Sequence, residues 1–393
     1  MNYKISHPTN KINCEIDLPY SKSISNRLLI IQALCEEKFN IKNLSESKDT
    51  ISLQKALNSN NRIIDVGAAG TSFRFLTAFL SNKEGAEYLL TGSERMKQRP
   101  IKQLVNSLRK LGAKIRYVDE DHFPPLRIIG KYLSGGKIQI DGNISSQFIS
   151  ALLLIAPTLE KGLELEIVGE IVSKPYISMT LNLMREFGIN CLCEENIISI
   201  KNQKYLAKDY EVESDWSSAS FWFEIAALSN DCNIKLYGLS QNSIQGDSRV
   251  IDFFEGFGVN SEFVNGDLIL SKSKNQNIPN SIDLINTPDL YQPINCTLFG
   301  LGISSELTGL STLKDKETDR IKSVERELKK LSTNREIETY KDHRMAMSFA
   351  PLCLRFGEVQ INDIEVVKKS YPNFWQDIEK AGFKITSLIQ TNN

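Results

Sequence analysis

Residues 107–118 read SLRKLGAKIRYV. Leu108 and Leu111 share one face of a helix, and after Gly112 the residues alternate apolar and polar, as in a strand. A glycine directly after a helix suits the left-handed cap, because it has no Cβ to clash at positive φ. The stretch therefore predicts helix, turn, strand. The same pattern recurs at LMREFGINCLCE (183–194), FFEGFGVNSEFV (253–264) and IEKAGFKITSLI (378–389), with Gly188, Gly258 and Gly382 at the turn. LQKALNSNNRIIDV (53–66) and VERELKKLSTNREIETY (324–340) echo it without the glycine. Repetition at this scale implies a chain built from one supersecondary unit used six times.

Several units add a second strand. KIRYVDEDHFPPLRIIG (114–130) and VNSEFVNGDLILSKS (259–273) read as strand, turn, strand, and Asn265-Gly266 is a strong hairpin signal. At 393 residues the chain is too long for one ordinary core. The expected division is an N-terminal domain over 19–214 and a C-terminal domain made of 1–18 and 215–393, with hinges near 18–20 and 214–216. Asp215 or Ser217 is expected to cap the apolar helix that opens the second part.

The net charge of −1 excludes a global basic field for nucleic acid or anionic membrane. No apolar run reaches about 18 residues, so no membrane-spanning helix is expected. Seven scattered cysteines suit a reducing cytoplasm, and three distant histidines give no metal site. Any recognition of anions must be local.

Local clusters supply it. Lys22, Ser23, Ser25 and Arg27 open a helix; Ser23 and Arg27 share a face. Gly70, Thr71 and Arg74 lie in a Gly-containing helix start that lacks the Lys of a nucleotide-binding loop. Arg99 precedes a Pro. Ser145, Ser146 and Gln147 begin another helix, and Ser173, Lys174 and Tyr176 a further one. The second half adds Asp289, then Lys316, Glu317 and Arg320, then Asp342, His343 and Arg344, and finally Lys369. Lys316 and Arg320, spaced i, i+4, would repel on a helix unless an anion lay between them. Asp342 reads as an N-cap; Arg344, in a first turn, is at the wrong helix end for a cation unless it serves a ligand. Cations and hydroxyls at helix starts suit small substrates rich in phosphate and carboxylate. Asp289 and Glu317 are available to move protons.

The motifs SKSISNR, AAGTSFR, RPI, SSQF, SKPY, PD, KETDR, DHRMAM and KSYPNF occur in an order that resembles the 5-enolpyruvylshikimate-3-phosphate synthase family from about residue 19 to 375. The resemblance implies a two-domain inside-out α/β barrel, the enolpyruvyl transferase fold, with six helix–strand–strand repeats, three per domain. It implies enolpyruvyl transfer from phosphoenolpyruvate to the 5-hydroxyl of shikimate 3-phosphate, with release of phosphate through a tetrahedral intermediate. That is the step in the shikimate pathway leading to chorismate and the aromatic amino acids, and glyphosate inhibits it. No cofactor or metal is implied, and the expected protein is a cytoplasmic monomer with only these two small molecules as partners. Lys22, Ser23, Arg27, Ser145, Ser146, Gln147, Ser173, Tyr176, Asp289, Thr312 and Lys316 would contact shikimate 3-phosphate. Lys22, Gly70, Arg99, Gln147, Arg320, Arg344 and Lys369 would hold phosphoenolpyruvate. Asp289 would act as base and Glu317 as acid, with Lys22 and His343 assisting.

Two positions depart from the family pattern. Ala68 stands where it usually has Asn, and Thr312 where an Asn contacts shikimate 3-phosphate. The sister transferase that acts on UDP-N-acetylglucosamine typically uses a loop cysteine; residues 95–125 contain none.

Overall fold

The computed structural model describes residues 1–388; Ile389, the last residue of the stretch 378–389, lies outside them. Each quoted stretch is a helix running into a strand. Lys102–Lys110 leads to Lys114–Tyr117, Lys174–Glu186 to Cys191–Glu194, Val250–Gly256 to Val259–Val264, and Phe374–Lys380 to Lys384–Leu388. The turn glycines take φ of 105°, 81°, 82° and 92°. The two echoes without glycine are the helices Lys48–Leu57 and Arg320–Lys330, followed by Ile63–Asp65 and Glu336–Ile337. The hairpin between Val259–Val264 and Asp267–Lys272 turns on Asn265 and Gly266, both at positive φ.

The chain forms two compact units, one over Lys22–Val212 and the other over Met1–Ser21 with the chain from Glu213 onward. The sequence suggested hinges at 18–20 and 214–216.

In the N-terminal unit (22–212), helices Lys22–Leu34, Gly70–Ser81 and Ser146–Ile155 pack on one another and are buried over most of their lengths. Ser146–Ile155 is apolar nearly all round past its first turn, which suits a core rather than a surface helix, while the other two bury polar side chains as well, Arg27 and Arg74 among them. Two of them are crossovers between parallel strands. Gly70–Ser81 joins Ile63–Asp65 to Glu87–Thr91, and Ser146–Ile155 joins Gly136–Asp141 to Leu163–Val168. The four-stranded sheets run 63–65, 87–91, 126–129, 114–117 and 191–194, 197–200, 163–168, 136–141. Burial alternates along their strands, so one face of each meets the core.

The C-terminal unit repeats the plan. Trp216–Leu228 lies between Lys11–Asp17 and Asp231–Tyr237, Tyr291–Leu301 between Ser281–Asp283 and Glu306–Thr308, and His343–Phe349 between Glu336–Ile337 and Val359–Ile361. In a parallel crossover the helix begins beside the C-terminal end of its first strand, where ligands of α/β sheets commonly bind. The architecture therefore gathers helix N-termini at one end of each unit. Asp215 is the N-cap of Trp216–Leu228, but its carboxylate makes no cap bond to the helix backbone; the Ser218 hydroxyl donates to it at 3.0 Å.

Candidate active site

Side-chain bonds tie the helix starts of the N-terminal unit together. Lys22 Nζ lies 3.6 Å from Asp49 Oδ2, in the first turn of Lys48–Leu57. The Ser72 hydroxyl donates to the Asp49 carbonyl at 2.9 Å, and Gln147 Nε2 donates to Thr71 Oγ1 at 3.2 Å. Arg27 donates from Nε to Thr180 Oγ1 (2.7 Å), from Nη1 to the Ser23 carbonyl (2.8 Å), and from Nη2 to Ser150 Oγ (3.2 Å) and the Tyr176 carbonyl (3.1 Å). Burial lowers the Arg27 pKa to about 10, against a smaller opposing effect of Tyr176. These hydrogen-bond partners are all neutral, so the buried charge favours a nearby anion.

Arg99 lies flat against Gly70. A Cβ on Gly70 would stand 2.4 Å from Arg99 Nη1 and 3.2 Å from its Cζ, so only glycine admits the guanidinium here. Arg74 Nη1 donates to the Gly70 carbonyl at 3.2 Å from below. Ser145 caps Ser146–Ile155, its hydroxyl accepting from Gln147 N at 3.4 Å. The Gln147 Oε1 is buried without a hydrogen-bond partner among the described residues. Such atoms are rare in folded proteins and often mark a place for a ligand or water. Ser173 opens Lys174–Glu186 in the left-handed region, at φ 56°, with no cap bond from its side chain. That conformation costs on the order of 1 kcal/mol for a non-glycine residue, and such strain clusters at binding sites.

A cleft of about 1270 Å³ lies at the opposite, C-terminal ends of the helices Lys22–Leu34, Lys48–Leu57 and Gly70–Ser81, against Leu34, Glu36, Leu57, Phe79 and Tyr132. None of the candidate residues lines it.

The C-terminal unit collects charges of both signs. Asp342 caps His343–Phe349, accepting from Arg344 N at 2.9 Å, and also binds Arg320 Nε at 2.8 Å. Asp289, in the turn Pro288–Leu290, accepts from Arg320 Nη1 and Arg344 Nη2, each at 3.0 Å, and its carbonyl accepts from Arg344 Nη1 at 2.9 Å. Glu317 accepts from Arg320 Nη2 at 3.1 Å on one oxygen and from Lys369 Nζ on the other. His343 Nδ1 lies 3.6 Å from Asp342 Oδ1. Burial alone would lower the Arg320 pKa, but Asp342, Glu317 and Asp289 outweigh it and the net shift is upward. Thr312 is half-buried at the start of the 3-10 turn Leu313–Asp315.

One expectation changes here. Lys316 does not share a helix with Arg320, since it is extended and the helix begins at Arg320. The anion between them is the protein's own: Asp289 Oδ1 is 3.6 Å from Lys316 Nζ and 3.0 Å from Arg320 Nη1.

Sequence reasoning passed over two acids. Asp49 is buried beside Lys22. Asp247 is buried and accepts a hydrogen bond from the Ser217 hydroxyl at 2.5 Å. Burial first, and the Asp289 charge next, push its carboxyl up to about 6, against Arg344 and the Ser217 bond. Neither stands in a motif that marks a cluster; only the first-turn position of Asp49, ahead of an apolar run, gives a hint. Among the described residues no group of three or more His, Cys, Asp or Glu could hold a metal, and no helix is long and apolar enough to cross a membrane.

The chain matches the family described as EPSP synthase (3-phosphoshikimate 1-carboxyvinyltransferase) over residues 6–59 and 51–378. The 3-phosphoshikimate 1-carboxyvinyltransferase of Bacteroides fragilis strain YCH46 is 46% identical over 407 residues, covering 98% of this chain and 99% of that protein. The protein of the same name from Sulfurovum sp. strain NBC37-1 is 37% identical, covering 96% and 99%. In structure, the EPSP synthase from Acinetobacter baumannii superposes with a TM-score of 0.77 at 22% identity, over 99% of this chain and 100% of that one. At that identity the likeness shows a shared fold.

Proposed function

The chain belongs to the EPSP synthase family, and on that premise we propose that it transfers the enolpyruvyl group of phosphoenolpyruvate to the 5-hydroxyl of shikimate 3-phosphate. In the addition step the 5-hydroxyl oxygen bonds to C2 of phosphoenolpyruvate, its proton passes to Asp289, and C3 takes a proton from Glu317. In the elimination step the C2–O bond to phosphate breaks, C3 returns a proton to Glu317, and the phosphate leaves with the electron pair of that bond and the proton held by Asp289, as hydrogen phosphate. Atoms and charge balance without a cofactor.

The geometry supports each role. Arg320, Arg344 and Lys316 around Asp289 favour its charged form, which a base requires. Glu317, joined to Arg320 and Lys369, is placed to reach whatever anion those cations bind. Arg320, Arg344 and Lys369 hold phosphoenolpyruvate together with Lys22, Arg99, Gln147 and the backbone of Gly70. Shikimate 3-phosphate takes Lys22, Ser23, Arg27, Ser145, Ser146, Gln147, Ser173, Tyr176, Thr312 and Lys316, with His343 behind Asp342 as an assisting group. The same reading makes each unit an inside-out barrel of three repeats around its core helices, in a cytoplasmic monomer.

The observation that carries the proposal is the meeting of two acids, Asp289 and Glu317, on one guanidinium, that of Arg320, with Arg344 and Lys369 at its sides. A passive binder of anions gains nothing from acids in its own seat. The test is phosphate release from phosphoenolpyruvate. It should require shikimate 3-phosphate; release that ignores this acceptor, or no release with both substrates, rejects the reading.

A further inference from the structure

The anion seats of the C-terminal unit are filled by the protein itself. Glu317 bridges Arg320 and Lys369, and Asp289 bridges Arg320, Arg344 and Lys316. A carboxylate or phosphate that seats on Arg320 and Lys369 competes with Glu317 for both.

The three acids on Arg320 differ in how firmly they are fixed. Asp342 is fully buried, caps a helix and binds Arg320 Nε. Asp289 sits in a short helical turn, and Arg344 grips its carbonyl as well as its carboxylate. Glu317 lies in the stretch between the turn Leu313–Asp315 and the helix that starts at Arg320. It has the longest side chain of the three. A ligand that seats on Arg320 and Lys369 therefore moves Glu317 first.

Displacement changes the chemistry of Glu317. It loses two counterions and gains a negative neighbour, and both changes favour the protonated form. The remaining charges nearby do not reverse this. Arg320 stays neutralised by Asp342 and Asp289, Arg344 is engaged by Asp289, and Lys316 faces Asp289.

We propose that Glu317 is an internal stand-in for the substrate anion, and that phosphoenolpyruvate displaces it from Arg320 and Lys369 and so causes it to take a proton from solvent. The acid is loaded by the molecule it will protonate. Before binding Glu317 is a carboxylate; one proton from water converts it to the carboxylic acid, and transfer of that proton to C3 restores the carboxylate. This rests on the function proposed above.

The test is rapid mixing at pH 8 in weak buffer with an indicator dye, with phosphate release followed in parallel. Enzyme saturated with shikimate 3-phosphate is mixed with phosphoenolpyruvate. At pH 8 the phosphate groups of both substrates are nearly all dianionic and the released phosphate is mostly hydrogen phosphate carrying the former hydroxyl proton, so the net reaction is close to proton-neutral. The expected result is uptake of about one proton per enzyme molecule, no later than the first phosphate released, and its loss in Glu317→Gln. Turnover without uptake in the wild type overturns this inference and leaves the function standing. Equal uptake in Glu317→Gln also overturns it. Absence of turnover in the wild type overturns the functional reading and this inference with it. The wild-type measurement decides the matter even if the variant folds poorly.

Discussion

Replacing Gly70 with Ala tests the geometry of the N-terminal unit at one atom. The added Cβ would lie 2.4 Å from Arg99 Nη1, and ordinary contact begins at about 3.4 Å. The guanidinium must therefore retreat by about 1 Å. It is the end of a flexible side chain, so the backbone need not move. Gly70 is the first residue of its helix and does not have the positive φ that would strain alanine, which is also the better helix former. Stability should hold or rise slightly. Substrate binding should not: a displaced guanidinium loses or weakens a charge-assisted hydrogen bond worth about 1.5–3 kcal/mol. That corresponds to roughly a 10- to 150-fold rise in KM for phosphoenolpyruvate. Glyphosate, which inhibits this family, should weaken in parallel if it uses the same seat. The assay is phosphate release at saturating shikimate 3-phosphate, with Tm measured on the same preparation. A KM within about twofold of wild type would refute the placement of Arg99 in the seat. A large fall in Tm would show that the backbone, and not the guanidinium, had given way.

Asp342→Asn leaves Arg320 buried with one charged partner fewer. Because Asp289 and Glu317 remain, the expected loss is about 3 kcal/mol, the low end for a broken buried pair, read as a lower denaturant midpoint. An unchanged midpoint would mean that Asp342 contributes only its cap. Asp247 has a folded pKa raised from 3.8 to about 6, so the stability linked to its proton is complete below pH 3.8 and is lost as pH rises through 6. Asp247→Asn should therefore be more stable than wild type at pH 8, by up to about 3 kcal/mol for a shift of about two units, and the gap should close toward pH 4. Urea titrations at the two pH values would show it, and a constant gap would contradict the assignment. Glu224, within Trp216–Leu228, is fully buried with neither carboxylate oxygen hydrogen-bonded among the described residues, and burial drives its pKa well up. Its stability contribution falls as pH rises above the ordinary carboxylate range. Glu224→Leu should stabilise the protein by about 1–3 kcal/mol at pH 8, and destabilisation in a denaturant melt would count against a neutral, unpaired acid.

What the sequence determined alone is what neighbouring residues decide among themselves. Helix, left-handed glycine and strand follow from spacing within a dozen residues, which is why the pattern at 107–118 could be recognised again at 183, 253 and 378. Helix starts were legible for the same reason: Ser145 and Asp342 carry cap chemistry in their side chains and do cap. Pairing of charges was not legible, because it joins residues far apart in the chain. Sequence spacing cast Lys316 and Arg320 as repelling neighbours that needed an anion; only the fold shows that Asp289 provides it. Arg27 read as a contact for shikimate 3-phosphate; only the fold shows that it is buried and hydrogen-bonded to Ser23, Ser150, Tyr176 and Thr180. Asp49 and Asp247 drew no notice until packing buried them beside Lys22 and Ser217. A charge shows its type in the sequence, but its partners and its exposure to water depend on elements brought together across the whole chain, and those two quantities set its pKa and its chemistry.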